Sequence, residues 1–246
     1  MKSIKEEQIM TTRTPTEAPE EGTLAELLHR LGDVPLERIR MRPAPGMARE
    51  QDVIEALEAA DKRLYELVDG VLVEKAMGTR EALLAGIILH WLWDFLEQHD
   101  LGQPLGAEGA LRLMPKLVRI PDVSFVSWER LPGRELPDQP IADLVPDLAV
   151  EVLSERNTKG EIQRKLREYF LAGVRLVWVI QPQTQTAEVY RARDRKKRVG
   201  KTGVLDGENV LPGFKLALPE LFARAHRKPS RSSPQGNPQG KGVERR

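Results

Sequence analysis

The spacing of apolar residues changes several times along the chain, and each change predicts an element. Residues 1–22 are polar, rich in Pro and Glu, and show no period, which reads as a disordered lead. Leu24, Leu27, Leu28 and Leu31 then recur at helical spacing. Thr23 and Glu26 form a T-x-x-E capping box in front of them, and Gly32 suits the stop. "RPAPGMARE" reads as a connector, and the alanines and charges of 50–60 predict a second short surface helix. Together 23–62 form a small helical N-terminal extension.

The main domain is expected over 63–226. "RLYELVDGVLVEK" reads as two strands around Asp69-Gly70, a strong hairpin signal. "GTREALLAGIILHWLWDFLEQHDLG" reads as one long helix with Thr79 as N-cap and Gly102 as stop. "GALRLMP" predicts a strand, and Val118 to Trp128 a second one with Pro121 near its start, which hints at an edge or a bulge. After a proline-rich loop, "DLAVEVL" reads as a buried strand, "TKGEIQRKLREYFLAG" as a helix and "VRLVWVIQP" as a second apolar strand. Strand, helix and strand with short links make a crossover unit, so those two strands should be parallel. "TAEVYRA" and "GVLDGENVL" look like a late hairpin, and "PGFKLALPELFARA" ends the fold. From 227 to 246 the composition turns to Ser, Pro, Gly, Gln and basic residues, a disordered basic tail.

Composition narrows the function classes. The formal net charge is +1 over 246 residues, so any nucleic-acid contact must come from a local patch. The chain has no cysteine, which excludes disulfides and thiolate zinc sites and suits a reducing cytoplasm. The N-terminus lacks the apolar stretch of a secretory signal. No apolar run approaches the roughly 20 residues that span a bilayer, so no membrane association is expected.

Two placements carry chemistry. Glu151 lies within the apolar run Leu148 to Leu153, and an unpaired carboxylate in a buried strand costs several kcal/mol unless its pKa rises. Asp122 follows Pro121 at the head of another strand. A divalent metal would remove the penalty, because Mg²⁺ takes hard oxygens from one or two carboxylates plus water and phosphate. Lys165 lies three residues after Ile162 and four before Tyr169, on the face that packs against the sheet. Its ammonium should point toward the carboxylates, where it could orient a water or stabilise charge on a phosphoryl oxygen.

"RIPDVSFV", "PDLAVEVLSERN" and "RKLREYFLAGVRLVWVIQP", in that order, resemble the Uma2 family, also called DUF820, within the PD-(D/E)XK nuclease superfamily. The resemblance covers 63–225, and 23–60 is similar to an N-terminal extension of some members. It implies an α/β restriction-endonuclease-like fold, a mixed β-sheet flanked by helices. It implies a Mg²⁺- or Mn²⁺-dependent endonuclease that hydrolyses phosphodiester bonds in DNA, with Asp122 and Glu151 as metal ligands. The lysine of the E-x-K pattern should stand at 153, where this chain has Leu153, so Lys165 is the implied substitute. Glu81 is the implied acid on the first helix, with Glu66 and Glu74 as weaker candidates. Cutting both strands would suit a homodimer.

Plainer roles compete for the same residues. Glu151 and Lys165 could form a buried ion pair without chemistry, or the domain could bind nucleic acid without cutting it. Asp122 could cap a strand, and Glu81 suits a helix N-terminus in any case. Ser154 and Asn157 read as caps of the following helix, Tyr169 and Trp178 as core. His29, His90, His99 and His226 show no metal-ligand spacing. The basic run 191–201 reads as a solvated hairpin tip, with phosphate-backbone contact as the alternative.

Overall fold

The computed structural model describes residues 22–60 and 63–226. The expectations for the tail, and for all of the lead but its last residue, lie outside this range. Two short N-terminal helices, α1 (Leu24–Leu31) and α2 (Glu50–Glu58), precede a hairpin of β1 (Tyr65–Val68) and β2 (Val71–Glu74). Helix α3 (Thr79–Leu96) leads to β3 (Gly102–Leu105), β4 (Leu111–Met114), β5 (Leu117–Arg119) and β6 (Val123–Ser127). Strand β7 (Leu148–Val152), helix α4 (Lys159–Ala172) and strand β8 (Leu176–Gln181) form the crossover, and β7 and β8 pair in parallel. Then come β9 (Thr186–Ala192), β10 (Arg195–Val199), β11 (Val204–Asp206), β12 (Lys215–Ala217) and α5 (Leu218–Ala225).

The strands form a six-stranded mixed sheet, β10-β9-β8-β7-β6-β3, a four-stranded sheet, β2-β1-β5-β4, and the small pair β11-β12. Alternation sorts side chains between layers. Leu148, Val150 and Val152 of β7 join Leu84, Ile88 and Leu92 of α3 in one core, with Leu221 and Phe222 of α5. Ala149 faces the opposite way, toward Ile162, Leu166 and Tyr169 of α4 and toward Val68, Val71, Leu113 and Leu117 of the four-stranded sheet. Helix α4 is thus held between the two sheets. Helix α2 covers the outer face of the four-stranded sheet through Val53 and Ala56.

Several local expectations are corrected. The strand expected over Val118–Trp128 is two strands in different sheets, because the chain crosses between sheets at Ile120–Asp122. Gly102 opens β3 rather than ending α3: its Cβ would sit 2.0 Å from the Val126 carbonyl, so only glycine permits that pairing. The N-cap of α3 is Gly78, and Thr79 is the first helical residue. "TAEVYRA" pairs with the basic run, which forms edge strand β10 rather than a mere tip, while β11 pairs with β12. Charged side chains on an edge are a common defence against edge pairing, and four exposed basic residues concealed this strand from a reading of periodicity.

Candidate metal centre

The parity that puts Ala149 toward α4 also puts Glu151 there. Its carboxylate oxygens accept hydrogen bonds from the Lys165 ammonium at 3.1 and 3.0 Å, and Oε1 accepts another from the Tyr169 hydroxyl at 2.5 Å. Lys165 and Tyr169 are one turn apart on α4, so a single helix face serves both contacts. The same parity rule brings in the four-stranded sheet. Glu66 shares the face of Val68, and Arg119 that of Leu117. Glu66 Oε1 lies 3.0 Å from the Lys165 ammonium and accepts the Ile120 amide, and Arg119 binds Glu66 Oε2 at 2.7 Å. Arg119 also binds Glu168 of α4, which Arg164 holds from the other side.

Asp122 stands beside Glu151 across the β6–β7 pairing. Its Oδ2 accepts the Val152 amide at 2.6 Å, and its own amide donates to the Val150 carbonyl. Oδ1 is buried and lacks a hydrogen-bond donor in good geometry, although the Lys75 ammonium lies 2.9 Å away as a charge partner. Lys75 also donates to the Ala107 carbonyl at 3.2 Å.

These charges shift one another. Burial pushes the Glu151 carboxyl up, and the nearby negative charges of Asp122 and Glu66 push the same way against Lys165. Burial also works against an ionised Glu66, but Lys165 and Arg119 outweigh it and hold that carboxyl down at about 2. The Tyr169 hydroxyl is pushed well up by burial and by Glu151, so it stays a donor.

Asp122, Glu151 and Lys165 are therefore assembled at one place. Glu81 is buried in the first turn of α3 with its carboxylate against Gly78, and no hydrogen bond or ion pair links it to Asp122 or Glu151. Glu74 is half-buried and pairs with Arg63 at 3.7 Å. Glu66 is the third acid of the cluster. Ser154 and Asn157 bond to each other, and Thr158 is the N-cap of α4. Tyr169 is core as expected and is also a partner of Glu151. Lys75 and Arg119 escaped the sequence reading. Lys75 continues the inward parity of Val71 and Val73, a signal present in the sequence but masked by its place at the strand end.

A model of the Uma2 family, described as "Putative restriction endonuclease", matches residues 51–219. The chain belongs to the Uma2 family. The crystal structure of a "putative nuclease belonging to DUF820" from Anabaena variabilis has a similar fold, with a TM-score of 0.59 at 16% identity, covering 66% of this chain and 92% of that one. No curated protein matches this Uma2 chain. The family match begins at 51, so α1 and the turn that carries Arg38 lie outside it.

Do the residues of this Uma2 protein suit a divalent ion? Among the described residues, no three His, Cys, Asp or Glu side chains cluster as a ready-made metal cage. Asp122 and Glu151 supply two hard carboxylates, enough for Mg²⁺, which keeps several waters and draws further ligands from substrate phosphate. One observation favours a cation. Asp122 Oδ1 is a buried acceptor whose partner, the Lys75 ammonium at 2.9 Å, lies outside hydrogen-bond geometry. Four buried carboxylates, Glu66, Asp122, Glu151 and Glu168, face Lys75, Arg119, Lys165 and, on Glu168, Arg164, so charge balance does not itself call for an ion. Arg164, at the rim, is shared between Glu168 and Asp69. The donor set fits.

Among the described residues, no helix is long and apolar enough to cross a membrane.

Proposed function

We propose that this protein is a Mg²⁺- or Mn²⁺-dependent endonuclease that hydrolyses phosphodiester bonds in DNA. The observation that carries the reading is the buried pair of carboxylates at the β6–β7 pairing, Asp122 and Glu151, with Asp122 Oδ1 held by the Lys75 ammonium outside hydrogen-bond geometry. Family membership supports a nuclease. Asp122 and Glu151 would hold the ion, and Lys165 with Tyr169 fixes the Glu151 carboxylate. A bound divalent ion supplies Lewis acidity at phosphorus and lowers the pKa of water. In the hydrolysis, a water oxygen bonds to phosphorus, the bond to the leaving strand's oxygen breaks, that oxygen takes up a proton, and the attacking water gives one up. A homodimer would allow both strands to be cut.

The test is nicking of supercoiled plasmid with Mg²⁺, Mn²⁺ or EDTA. Metal-dependent nicking, absent in Asp122→Asn, supports the reading. An intact plasmid in every metal favours the second reading, a nucleic-acid-binding module in which Glu151 and Lys165 are a buried pair. The liganded carboxylates must be ionised, and burial raises that of Glu151, so activity should fall in acid. A flat profile between about pH 5 and 8 would contradict this.

A further inference from the structure

Two buried lysines stand at this centre, and their surroundings differ. The Lys165 ammonium is enclosed by three carboxylate oxygens from two acids, all at 3.0–3.1 Å. An ammonium has three N–H donors, so little is left for a water or a phosphate. The Lys75 ammonium meets one carboxylate oxygen, Asp122 Oδ1, outside hydrogen-bond geometry, and one carbonyl, that of Ala107. It retains donor capacity. Lys75 also directly precedes the segment 76–80, whose Gly78, Thr79 and Arg80 are exposed.

We propose that Lys75 is the substrate-facing lysine of the site, and that it serves as a tethered cation on Asp122 until a divalent ion arrives. This deepens the nuclease reading and rests on it. Two cations cannot share Asp122 Oδ1 without strong repulsion, since like charges a few ångströms apart repel strongly away from bulk water. With a divalent ion held by Asp122, the ammonium would be repelled from that carboxylate. Its long, flexible stem then lets it donate an N–H to a non-bridging phosphoryl oxygen. It stays protonated and transfers no proton. Lys165 remains a positioning residue that neutralises Glu151 and Glu66. The departure at Leu153 from the expected lysine position is then met from the residue after β2 rather than only from α4.

The test uses the full chain as wild type, Lys75→Met and Lys75→Arg, with thermal melting as a check of folding. Mn²⁺ affinity is measured by calorimetry and plasmid nicking at saturating Mn²⁺. Lys75→Met should bind Mn²⁺ about tenfold more tightly or better, because one competing charge is gone. It should nick about a hundredfold more slowly, as when one preorganised donor is removed. Lys75→Arg keeps the charge, so it should fold and bind Mn²⁺ like the wild type, which covers the case in which the Met variant fails to fold; it should nick more slowly. The opposite movement of affinity and rate separates this role from a merely structural ion pair. The proposal is overturned if neither variant nicks more slowly than a nicking wild type, or if a folded Lys75→Met binds Mn²⁺ no more tightly. A wild type that binds Mn²⁺ but leaves plasmid intact sinks the nuclease reading itself. In that case tighter binding by the Met variant still upholds the tethered-cation half and removes only the phosphate contact.

Discussion

Lys165 on α4 and Glu66 on β1 come within 3.0 Å of each other, so the helix carries its charge to the four-stranded sheet as well as to Glu151 on the six-stranded one. One ammonium thus ties both sheets through the helix between them.

Removal of that ammonium should be costly. Lys165→Met strands two buried carboxylates, and breaking a buried pair in this way destabilises by about 3–5 kcal/mol. In a domain of this size each kcal/mol lowers the Tm by about 2–4 °C. Calorimetric melting checks this, and a Tm within a degree or so of wild type would refute the buried pairing.

Glu151 and Glu66 should give opposite pH signatures. Glu66 is held down at about 2, so its contribution to stability is present above the ordinary carboxylate range and is lost as pH falls through that range toward 2. Glu151 is raised, so the folded protein holds this proton when the unfolded chain has released it. Wild-type stability therefore falls as pH rises from the ordinary Glu range through the raised value. Glu151→Gln has no such proton. Its Tm relative to wild type should climb as pH rises above the ordinary carboxylate range, and an offset that stays constant with pH would contradict the raised pKa.

Much of this was legible in the sequence because burial and period agree there. The crossover at 148–181 showed itself through two apolar runs around an amphipathic helix, and Lys165 declared itself as a charge on the apolar face. Glu151 stood out for the same reason, whereas Asp122 was singled out as a ligand through the family resemblance. What stayed hidden depended on tertiary pairing. Arg119 and Lys75 lie at or just past strand ends, where an arginine or lysine normally reaches water; Glu168 of α4 meets the first, and Asp122 and the Ala107 carbonyl meet the second. Glu81 is buried too, on a helix turn, with its carboxylate against Gly78.

Arg38 illustrates the same limit. It sits in a short 3-10 turn, Leu36–Arg38, outside the family match, yet it is 1% exposed. Its guanidinium binds both oxygens of Glu161 at 2.7 and 2.8 Å, and Asn157 donates to the same carboxylate. Gly32 and Gly160 meet so closely that a Cβ on Gly32 would lie 2.3 Å from the Glu161 amide. The N-terminal segment therefore clamps the start of the helix that carries Lys165. Arg38→Ala should cost about 3–5 kcal/mol by leaving Glu161 buried and unpaired. Hydrogen exchange should show lost protection at 157–165, and unchanged exchange there would contradict the clamp.

The most direct measurement is calorimetric titration of Mn²⁺ into the wild type and the Asp122→Ala, Glu151→Ala double variant, each first shown to be folded. The account predicts saturable binding by the wild type and none by the variant. No binding by the wild type, or equal binding by both, would contradict the metal centre and leave Glu151 and Lys165 as a structural ion pair within a nuclease fold.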